Sequence, residues 1–578
     1  MSTSLFGNTA GTFTPSPLLV CAESSPFNAD GTGTVDATAA IQAALTMVSA
    51  LGGGTVWLTP GHRYKLTSKL TIPSYCYLRS DNAFLLMSAA NFNNSDASIS
   101  GRYGSNAVGI DLSGMTTAPY TPNYNNGVVG IGLIYDRAGN NGKLCVQGIV
   151  ARNVINTFVQ NVELSGFPVS CGLKIASSVA SNYVNNYIHD FYDNNVWSSP
   201  AEAQITGIEF DNDLVNRIPS TANTIAYNRI VNMVVGAASI AGNGGYQTDG
   251  INIANKAAQA NDISHNYISG VGEGIDCYAG YNNFTGNRIY NTYNFGIKFI
   301  HGAQYNTVTG GVVVNFGLAA LICAGSSTAA QPTAYNTFQG VKCVNGDYLG
   351  VWTATGGSPA NILLQPNGGT AGNNGQAKEN TFTDIVADQG ANCKYGMLDL
   401  GDGPRNIANR LKFKGGAAKV RIYLASGGST TGYCTLAEPT KTRAYLNGNQ
   451  VVTAGANVVT KVTLNATEFD YRAEFDPTTN YRWTAQVTGN FKFDGHVTLT
   501  NMAIGEYVQV ELRRSGTQKC VAAFYAAAVG NNSVPISGEF SCIEGDYVEL
   551  YVVQVAAWGA NRTVLGNSAF TYLNITAA

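Results

Sequence analysis

A short phrase, glycine followed by an alternating strand, recurs through the middle of the chain and strongly limits its possible folds. Its seven copies begin at glycines that lie 24, 35, 43, 24, 22 and 21 residues apart. They start at Gly148, Gly172, Gly207, Gly250, Gly274, Gly296 and Gly317. A period of about 20 to 50 residues is typical of solenoids, in which each coil stacks on its neighbours and buries a continuous core. The longer gaps predict loops inserted into a coil.

A second phrase, asparagine followed within two residues by an apolar side chain, runs in phase with the first. Its copies begin at Asn156, Asn182, Asn223, Asn261, Asn283, Asn306, Asn336 and Asn380. With a third short strand that often follows, the phrases predict coils of about 22 to 24 residues, each with three strands, stacked about 4.8 Å apart. Asparagine tolerates left-handed turns and can hydrogen-bond to its copy one rung away, so we expect it at the corners.

Three motifs precede the coils. They are Phe27-Asn28-Ala29-Asp30-Gly31, Asp36-Ala37-Thr38-Ala39-Ala40-Ile41-Gln42-Ala43-Ala44 and Gly53-Gly54-Thr55-Val56-Trp57-Leu58-Thr59-Pro60-Gly61. Together they resemble the entry motif of the pectate-lyase-like superfamily of right-handed parallel β-helices, which includes many phage tailspike depolymerases. The resemblance extends more weakly to about residue 410, and Gly272–Asp276 and Phe295–Lys298 look like its tailspike branch. It implies the fold; lyases, hydrolases, epimerases and inert binders share that fold.

One helix is expected before the coils. Asp36 is placed to cap a helix that runs from Ala39 to Val48, and the glycines that begin at Gly52 would end it. Such a helix would cover the first rung, whose unpaired edge would otherwise promote aggregation.

The repeat stops near residue 410, which predicts four segments. They are an N-terminal leader (1–20), the β-helix (21–410), a connector (411–461) and an antiparallel jelly-roll β-sandwich (462–578). Within the last segment, three motifs resemble jelly rolls of the tumour necrosis factor type: Glu468-Phe469-Asp470, Gly489-Asn490-Phe491 and Glu544-Gly545-Asp546-Tyr547-Val548-Glu549. That resemblance implies trimerisation, and a carbohydrate-binding jelly roll is the alternative.

Charge and hydropathy exclude several functions. The 33 Lys and Arg residues nearly balance 36 Asp and Glu residues, so no basic surface for nucleic acid is expected. No apolar run is long enough to insert into a membrane, and residues 1–20 lack the features of a signal peptide. The five histidines lack metal-ligand spacing, and Asp211-Asn212-Asp213 is more typical of a solvated loop than of a calcium site. We therefore predict synthesis in the cytoplasm and no metal or cofactor.

Strand alternation predicts where acidic side chains gather. If the isoleucines that follow the glycines point inward, one outer face carries Glu209, Asn252, Asp276 and Lys298, and a second column carries Asp249 and Glu273. Hydrolysis of a glycosidic bond needs a proton donor and a second carboxylate, and close carboxylates raise the pKa of one of the pair. We predict Glu273 as the general acid and Asp276 or Asp249 as the base or nucleophile.

Aromatic and polar residues around these acids are candidates for binding sugar rings. We predict substrate contacts for Glu209, Tyr246, Asn252, Tyr278, Tyr281, Lys298 and His301. Lys298 and His301 would suit an acidic sugar, or would provide the base of a β-eliminating lyase.

The resemblance and these residues together imply a homotrimeric tailspike, located in the virion and attached to a phage tail or baseplate protein. Its expected partner is a bacterial capsular polysaccharide or O-antigen, whose glycosidic bonds it would hydrolyse. A polysaccharide lyase and a non-catalytic glycan-binding spike are the alternatives.

Overall fold

The computed structural model describes most of the chain. The described residues are 18–95, 104–117, 119–138, 140, 142–168, 170–192, 204–211, 219–234, 248–325, 332–365, 377–400, 406–414, 420–424, 440–470, 474–486, 489–543, 545–555 and 558–577. Two compact units make up the chain, Met1–Ala408 with Leu424–Cys434, and Asn409–Tyr423 with Thr435–Ala578. Among the described residues, no helix has both the length and the apolarity needed to cross a membrane.

Short parallel strands make up nearly all the regular structure before residue 425. In chain order the strands are β1 Leu19–Cys21, β2 Thr32–Asp36, β3 Gly54–Trp57, β4 Arg63–Lys65, β5 Leu70–Thr71, β6 Cys76–Ser88, β7 Val108–Asp111, β8 Asn123–Tyr124, β9 Gly127–Asp136, β10 Gln147–Ile155, β11 Phe158–Gln160, β12 Glu163–Ser165, β13 Ser170–Val179, β14 Asn182–Val184, β15 Tyr187–Tyr192, β16 Ile205–Phe210, β17 Thr224–Ala226, β18 Arg229–Val234, β19 Thr248–Ile253, β20 Asp262–Ser264, β21 Tyr267–Cys277, β22 Asn283–Thr285, β23 Arg288–Phe299, β24 Thr307–Thr309, β25 Val312–Phe316, β26 Ala319–Ala324, β27 Thr333–Ala334, β28 Thr337–Gln339, β29 Lys342–Gly346, β30 Ala360–Gln365, β31 Ala377–Lys378, β32 Thr381–Thr383, β33 Val386–Asp388, β34 Tyr395–Asp399, β35 Ile407–Asn409, β36 Lys412–Lys414 and β37 Val420–Leu424. Among the described residues, two helices accompany them, α1 Thr38–Ala50 and α2 Val351–Ala354.

Strands β10, β13, β16, β19, β21 and β23 carry the glycine-led phrase, whereas the predicted copy at Gly317 precedes β26, in which Ala320 stands at the glycine position. One strand of each coil belongs to the same parallel column, in the order β10, β13, β16, β19, β21, β23, β26, β30 and β34. The pairing aligns a buried apolar row of Ile149, Leu173, Ile208, Ile251, Ile275, Ile297, Leu321, Ile362 and Met397. The predicted all-β fold, a right-handed parallel β-helix, is confirmed.

The glycines of the phrase are required by close packing inside the coil. A Cβ atom on Gly207 would lie 2.6 Å from the carbonyl oxygen of Gly250 and 2.6 Å from Cγ2 of Ile230. Ile230 belongs to β18, in the third strand column, so its side chain fills the core opposite the glycine. Any larger residue would overpack this point, which explains why the phrase begins with glycine.

Buried asparagines form a ladder along one corner of the coils. At each step the side-chain oxygen accepts a hydrogen bond, at 3.0 to 3.1 Å, from the backbone N–H of the asparagine one rung earlier. Its members are Asn223, Asn261, Asn282, Asn306, Asn336, Asn380 and Asn406. The predicted bonding between rungs is therefore present, but Asn282 takes the place of the predicted Asn283, which is exposed on β22. The left-handed conformation, however, falls on the residue before most of these asparagines, as in Ala260, Tyr281 and Tyr305.

The N-terminal helix covers the start of the coils, as predicted. α1 buries Ile41, Leu45 and Val48, and it packs against β3, β5 and β6. Its N-cap position is Ala37 rather than Asp36, yet Oδ1 of Asp36 still accepts a hydrogen bond from the Thr38 N–H at 3.0 Å.

The C-terminal unit contains two antiparallel sheets. Its strands are β38 Lys441–Tyr445, β39 Gln450–Val452, β40 Val458–Lys461, β41 Ala466–Asp470, β42 Phe475–Asp476, β43 Arg482–Thr484, β44 Gly489–Met502, β45 Tyr507–Arg514, β46 Thr517–Tyr525, β47 Gly530–Cys542, β48 Tyr547–Gln554, β49 Arg562–Val564 and β50 Tyr572–Ala577. One sheet runs β39-β49-β44-β50-β38-β41 with β47 on β44, and the other runs β42-β43-β48-β45-β46 with β40 on β48. Both sheets contribute to one buried apolar core.

The C-terminal unit includes residues that the sequence placed in the connector 411–461. Strand β38 pairs with β41 and β50, β39 with β49, and β40 with β48. These strands are only three to five residues long. Because such short strands carry little alternation, the sequence pattern did not distinguish them from a connector.

Candidate functional site

Five polar residues of the predicted outer face meet on three consecutive rungs. Asp249 and Asn252 lie on β19, Glu273 and Asp276 on β21, and Lys298 on β23. Asp249 is paired in register with Glu273, and Asn252 with Asp276, which is paired in turn with Lys298. The β-helix therefore brings together side chains that are up to 49 positions apart in the sequence.

The Lys298 ammonium lies between two carboxylates. Its Nζ atom is 2.8 Å from Oε2 of Glu273 and 3.2 Å from Oδ2 of Asp276. The three acids each have an oxygen within 4.8 Å of the others. We call Asp249, Glu273, Asp276 and Lys298 the acidic cluster. Lys298 supplies the positive charge that the carboxylates bind, so we assign no metal ion to the acidic cluster.

Two amides hold the third acid. Nε2 of Gln204 and Nδ2 of Asn252 each donate a hydrogen bond of 2.7 Å to Oδ2 of Asp249. Oδ1 of Asp249 is buried and has no hydrogen-bond partner among the described residues.

Burial shifts the protonation of two of the acids. Asp249 and Asp276 are 0% exposed and Glu273 is 2% exposed. Burial raises the pKa of Asp276 to about 7, although the positive charge of Lys298 opposes the shift. Burial, followed by the charges of Glu273 and Asp276, raises the pKa of Asp249 well above its usual range. Near neutral pH Asp249 therefore holds a proton, while Asp276 is close to the midpoint of its titration, beside the Glu273–Lys298 ion pair.

The lysine is held in its charged form. Burial alone would lower the pKa of the Lys298 ammonium, but the charges of Asp276 and Glu273 raise it overall. A general base must lose its proton near the working pH. Lys298 is therefore unsuited to the role of base that the lyase alternative gave it.

A pocket lies beside the acidic cluster, and Tyr278 lines the pocket and contacts the cluster. The Tyr278 hydroxyl interacts with the carboxylate of Asp276, and its ring contacts His301 edge to face at 4.6 Å. Tyr278, Tyr281 and His301 line a pocket of about 170 Å³, together with Lys256, Gln259, Gly280, Gly302 and Gln304. Three residues that the sequence singled out for sugar contacts thus surround one cavity.

Glu209 is separate from the acidic cluster. It is paired in register with Asn252, and its Oε2 atom lies 2.9 Å from Nζ of Lys174, which is fully buried. The same ammonium is 3.2 Å from Oδ2 of Asp211. Glu209 and Asp211 therefore share one lysine. Tyr246, Asn212 and Asp213, which the sequence analysis also named, lie outside the described residues.

The sequence analysis missed four residues of this region. Lys174 occupies the same column as Glu209 and Asp276, so its place in the glycine-led phrase could have identified it. Gln204, Lys256 and Gln259 belong to neither recurrent phrase. No sequence signal marks these three, because their positions depend on the path of segments between the strands.

The chain is similar in structure to known proteins, although no protein-family model and no curated protein sequence matches it. It aligns with the Dettilon tailspike protein over 95% of this chain and 94% of that one, with 14% identity and a TM-score of 0.43. It aligns with the tailspike protein of E. coli bacteriophage HK620 in complex with pentasaccharide over 93% of both chains, with 12% identity and a TM-score of 0.46.

A shorter stretch, 24% of the chain, aligns with 92% of Eiger TNF from S. frugiperda, with 11% identity and a TM-score of 0.19. At these identities the likenesses concern the fold alone. The predicted resemblance to a phage tailspike with a parallel β-helix is confirmed in that sense.

Proposed function

We propose that this chain binds a bacterial surface polysaccharide, a capsule or an O-antigen, and hydrolyses its glycosidic bonds. The observation that carries the proposal is the acidic cluster, in which three carboxyl groups from adjacent rungs have oxygens within 4.8 Å of one another. Glycosidases need a protonated carboxylic acid and an ionised carboxylate in one site. The cluster offers both, since Asp276 has a pKa of about 7 and Glu273 is ion-paired with Lys298.

These protonation states favour roles that differ from the sequence prediction. Asp276 becomes the general acid that protonates the leaving oxygen, because its carboxyl group holds a proton near neutral pH. Glu273 becomes the nucleophile or base, because its Oε2 atom forms an ion pair with Nζ of Lys298 at 2.8 Å. Asp249 is a positioning residue, fixed by Gln204 and Asn252. The close approach of the carboxyl oxygens favours retention, since inversion needs room for a water molecule between the two groups.

The direct test uses purified polysaccharides. The intact protein is incubated with a panel of capsular polysaccharides and O-antigens, and new reducing ends are measured with product masses. We expect at least one member of the panel to be cut into repeat units. Binding of a panel member without new reducing ends would contradict hydrolysis.

The pKa of Asp276 predicts how cleavage depends on pH. A general acid acts only while protonated, so kcat/KM is expected to fall as the pH rises through about 7, where Asp276 loses its proton. The expected slope above this point is about tenfold per pH unit. A pH–rate profile on any cleaved polysaccharide checks this. A rate that keeps rising well above neutral pH would exclude Asp276 as the acid.

A non-catalytic glycan-binding spike is the second candidate, and the burial of the acids favours it. With 0 to 2% of their surfaces exposed, the three acids have the form of an internal ion-pair network. In that case the pocket beside Tyr278 would bind the glycan, and the three acids would only stabilise the strands next to that pocket. The reducing-end assay separates the two functions.

A polysaccharide lyase remains the third candidate, with a base other than Lys298. Burial, followed by the charge of Asp276, raises the pKa of Tyr278, which weakens it as a base. Burial, followed by the charge of Lys298, lowers the pKa of His301, so its ring is neutral near pH 7 and able to accept a proton. An ultraviolet-absorbing unsaturated product would identify the lyase reaction, whereas hydrolysis yields none.

We also propose that the chain assembles as a homotrimer, carried on a phage tail or baseplate protein in the virion. Support comes from apolar side chains on the surface of the C-terminal unit, where Val521 is 49% exposed, Tyr525 67% and Val529 73%. Val521 and Tyr525 lie on β46 and Val529 in the bend that follows it, and neighbouring exposed apolar side chains often mark an interface. Light scattering on the intact chain is expected to give three times the chain mass of 60.8 kDa. A monomer at micromolar concentration would contradict this.

A further inference from the structure

The pocket beside the acidic cluster is built by the turns that follow the glycine-led strands of three consecutive coils. Lys256 and Gln259 follow β19, Tyr278 follows β21, and His301 and Gln304 follow β23. Its volume is about 170 Å³. A space of this size suits one sugar ring rather than an oligosaccharide.

The pocket has a cationic side chain that no carboxylate neutralises. Among the described residues that line it, none is an aspartate or a glutamate. Lys256 is exposed and forms no ion pair within the described part of the chain. Lys298, which the sequence analysis named for an acidic sugar, is instead bound to Glu273 and Asp276.

The effect of two lysines on His301 indicates a positive environment. Burial lowers the pKa of the His301 imidazole, and the charges of Lys298 and Lys256 lower it further. Both ammonium groups are therefore close enough to act on this ring. An anion placed between Lys256 and His301 would gain favourable electrostatic energy from the same field.

An aromatic surface borders the pocket. The Tyr281 ring is 55% exposed and stacks on Tyr305 with centroids 4.9 Å apart. The residue at the same corner one rung earlier is Ala260, whose N–H donates to the Tyr281 carbonyl oxygen. Since alanine has no ring, that side of Tyr281 has no aromatic neighbour from the earlier rung. The apolar face of a sugar ring could pack there.

We infer that this pocket binds an anionic sugar residue, a uronic or sialic acid, through an ion pair between its carboxylate and Lys256 and through contact of its ring with Tyr281. This inference rests on the proposed function and extends it, because it assigns acidic polysaccharides as the substrate class. Lys256 becomes the residue that distinguishes a charged sugar from its neutral counterpart. Tyr278 connects this subsite to the acidic cluster, since its hydroxyl interacts with Asp276.

The test uses single sugars and does not depend on cleavage. The probes are glucuronate, galacturonate and N-acetylneuraminate, with glucose and galactose as neutral counterparts. Each is titrated into the intact protein while the imidazole signals are followed by NMR. The chain has five histidines, and His301→Gln identifies the signal of His301 by its loss. We expect at least one acidic sugar to shift that signal and raise the pKa of His301, whereas the neutral sugars leave both unchanged.

The variant Lys256→Gln is expected to weaken binding of the acidic sugar about tenfold, because it removes a charge-assisted contact. Lys342→Gln, at another exposed lysine, is the matched control and should bind as the wild type does. An equal response to acidic and neutral sugars, no response to any acid, or unchanged binding by Lys256→Gln would overturn the inference. Binding of an acidic sugar without cleavage of any polysaccharide would support the subsite and contradict only the hydrolase.

Discussion

Glu273→Gln is expected to lower polysaccharide cleavage by about 1,000-fold, while binding of the same polysaccharide changes by less than about threefold. Glutamine has nearly the shape of glutamate, and its amide oxygen can still accept a hydrogen bond from Nζ of Lys298. It cannot, however, act as a nucleophile or take up a proton. The variant should therefore fold and bind, yet fail in the chemical step. Reducing-end release and equilibrium binding, measured on one cleaved polysaccharide, check both halves of this expectation.

The matched control is Glu163→Gln, which makes the same change on β12 at a residue bound to His189 rather than to the acidic cluster. Wild-type turnover by Glu163→Gln together with loss in Glu273→Gln would locate the chemistry at the cluster. If Glu273→Gln also kept wild-type turnover, the acids would be structural, and the binding spike or the lyase would take precedence. A lower melting temperature of Glu273→Gln without loss of turnover would likewise indicate that the acids are structural.

The sequence predicted the fold and part of the site because both depend on strand register. Once Ile251 and Ile275 are placed in the core, alternation and pairing put Asp249 beside Glu273. The same reasoning aligned Asn252, Asp276 and Lys298 in one column. The glycine-led phrase carried this information because its position is fixed by a close contact inside the coil, such as that between Gly207 and Ile230.

Register did not predict which charges form ion pairs. Glu273 is paired in register with Phe295, yet its carboxylate binds Lys298, because the long lysine side chain reaches diagonally across the rung. Nor did register indicate which carboxyl groups have raised pKa values, because pKa values depend on burial and on neighbouring charges. Register also did not predict that Lys256 and Gln259 line the pocket, because segments between strands follow no period.

Lys298→Met is expected to destabilise the β-helix by about 3 to 5 kcal/mol, the usual effect of removing one partner from a buried ion pair. Methionine nearly preserves the apolar stem of lysine but leaves the buried carboxylates of Glu273 and Asp276 without their cation. The two acids would then take up protons or admit water. Chemical denaturation of the intact protein, followed by circular dichroism, measures the loss. Lys342→Met, at an exposed lysine on β29, should change stability by less than about 0.5 kcal/mol.

The same prediction separates electrostatic from packing effects. If uncompensated charge causes the loss, combining Lys298→Met with Glu273→Gln and Asp276→Asn should restore about half or more of the lost stability, because neutral amides need no cation. The stability of the single variant should also recover as the pH falls, since protonation neutralises the same acids. A loss that is unchanged in the triple variant and at low pH would mean that Lys298 acts through packing, for example against the Phe295 ring 5.6 Å away. The contact between Lys298 and Glu273 would then not act as an ion pair, and the assignment of Glu273 as nucleophile would lose its physical basis.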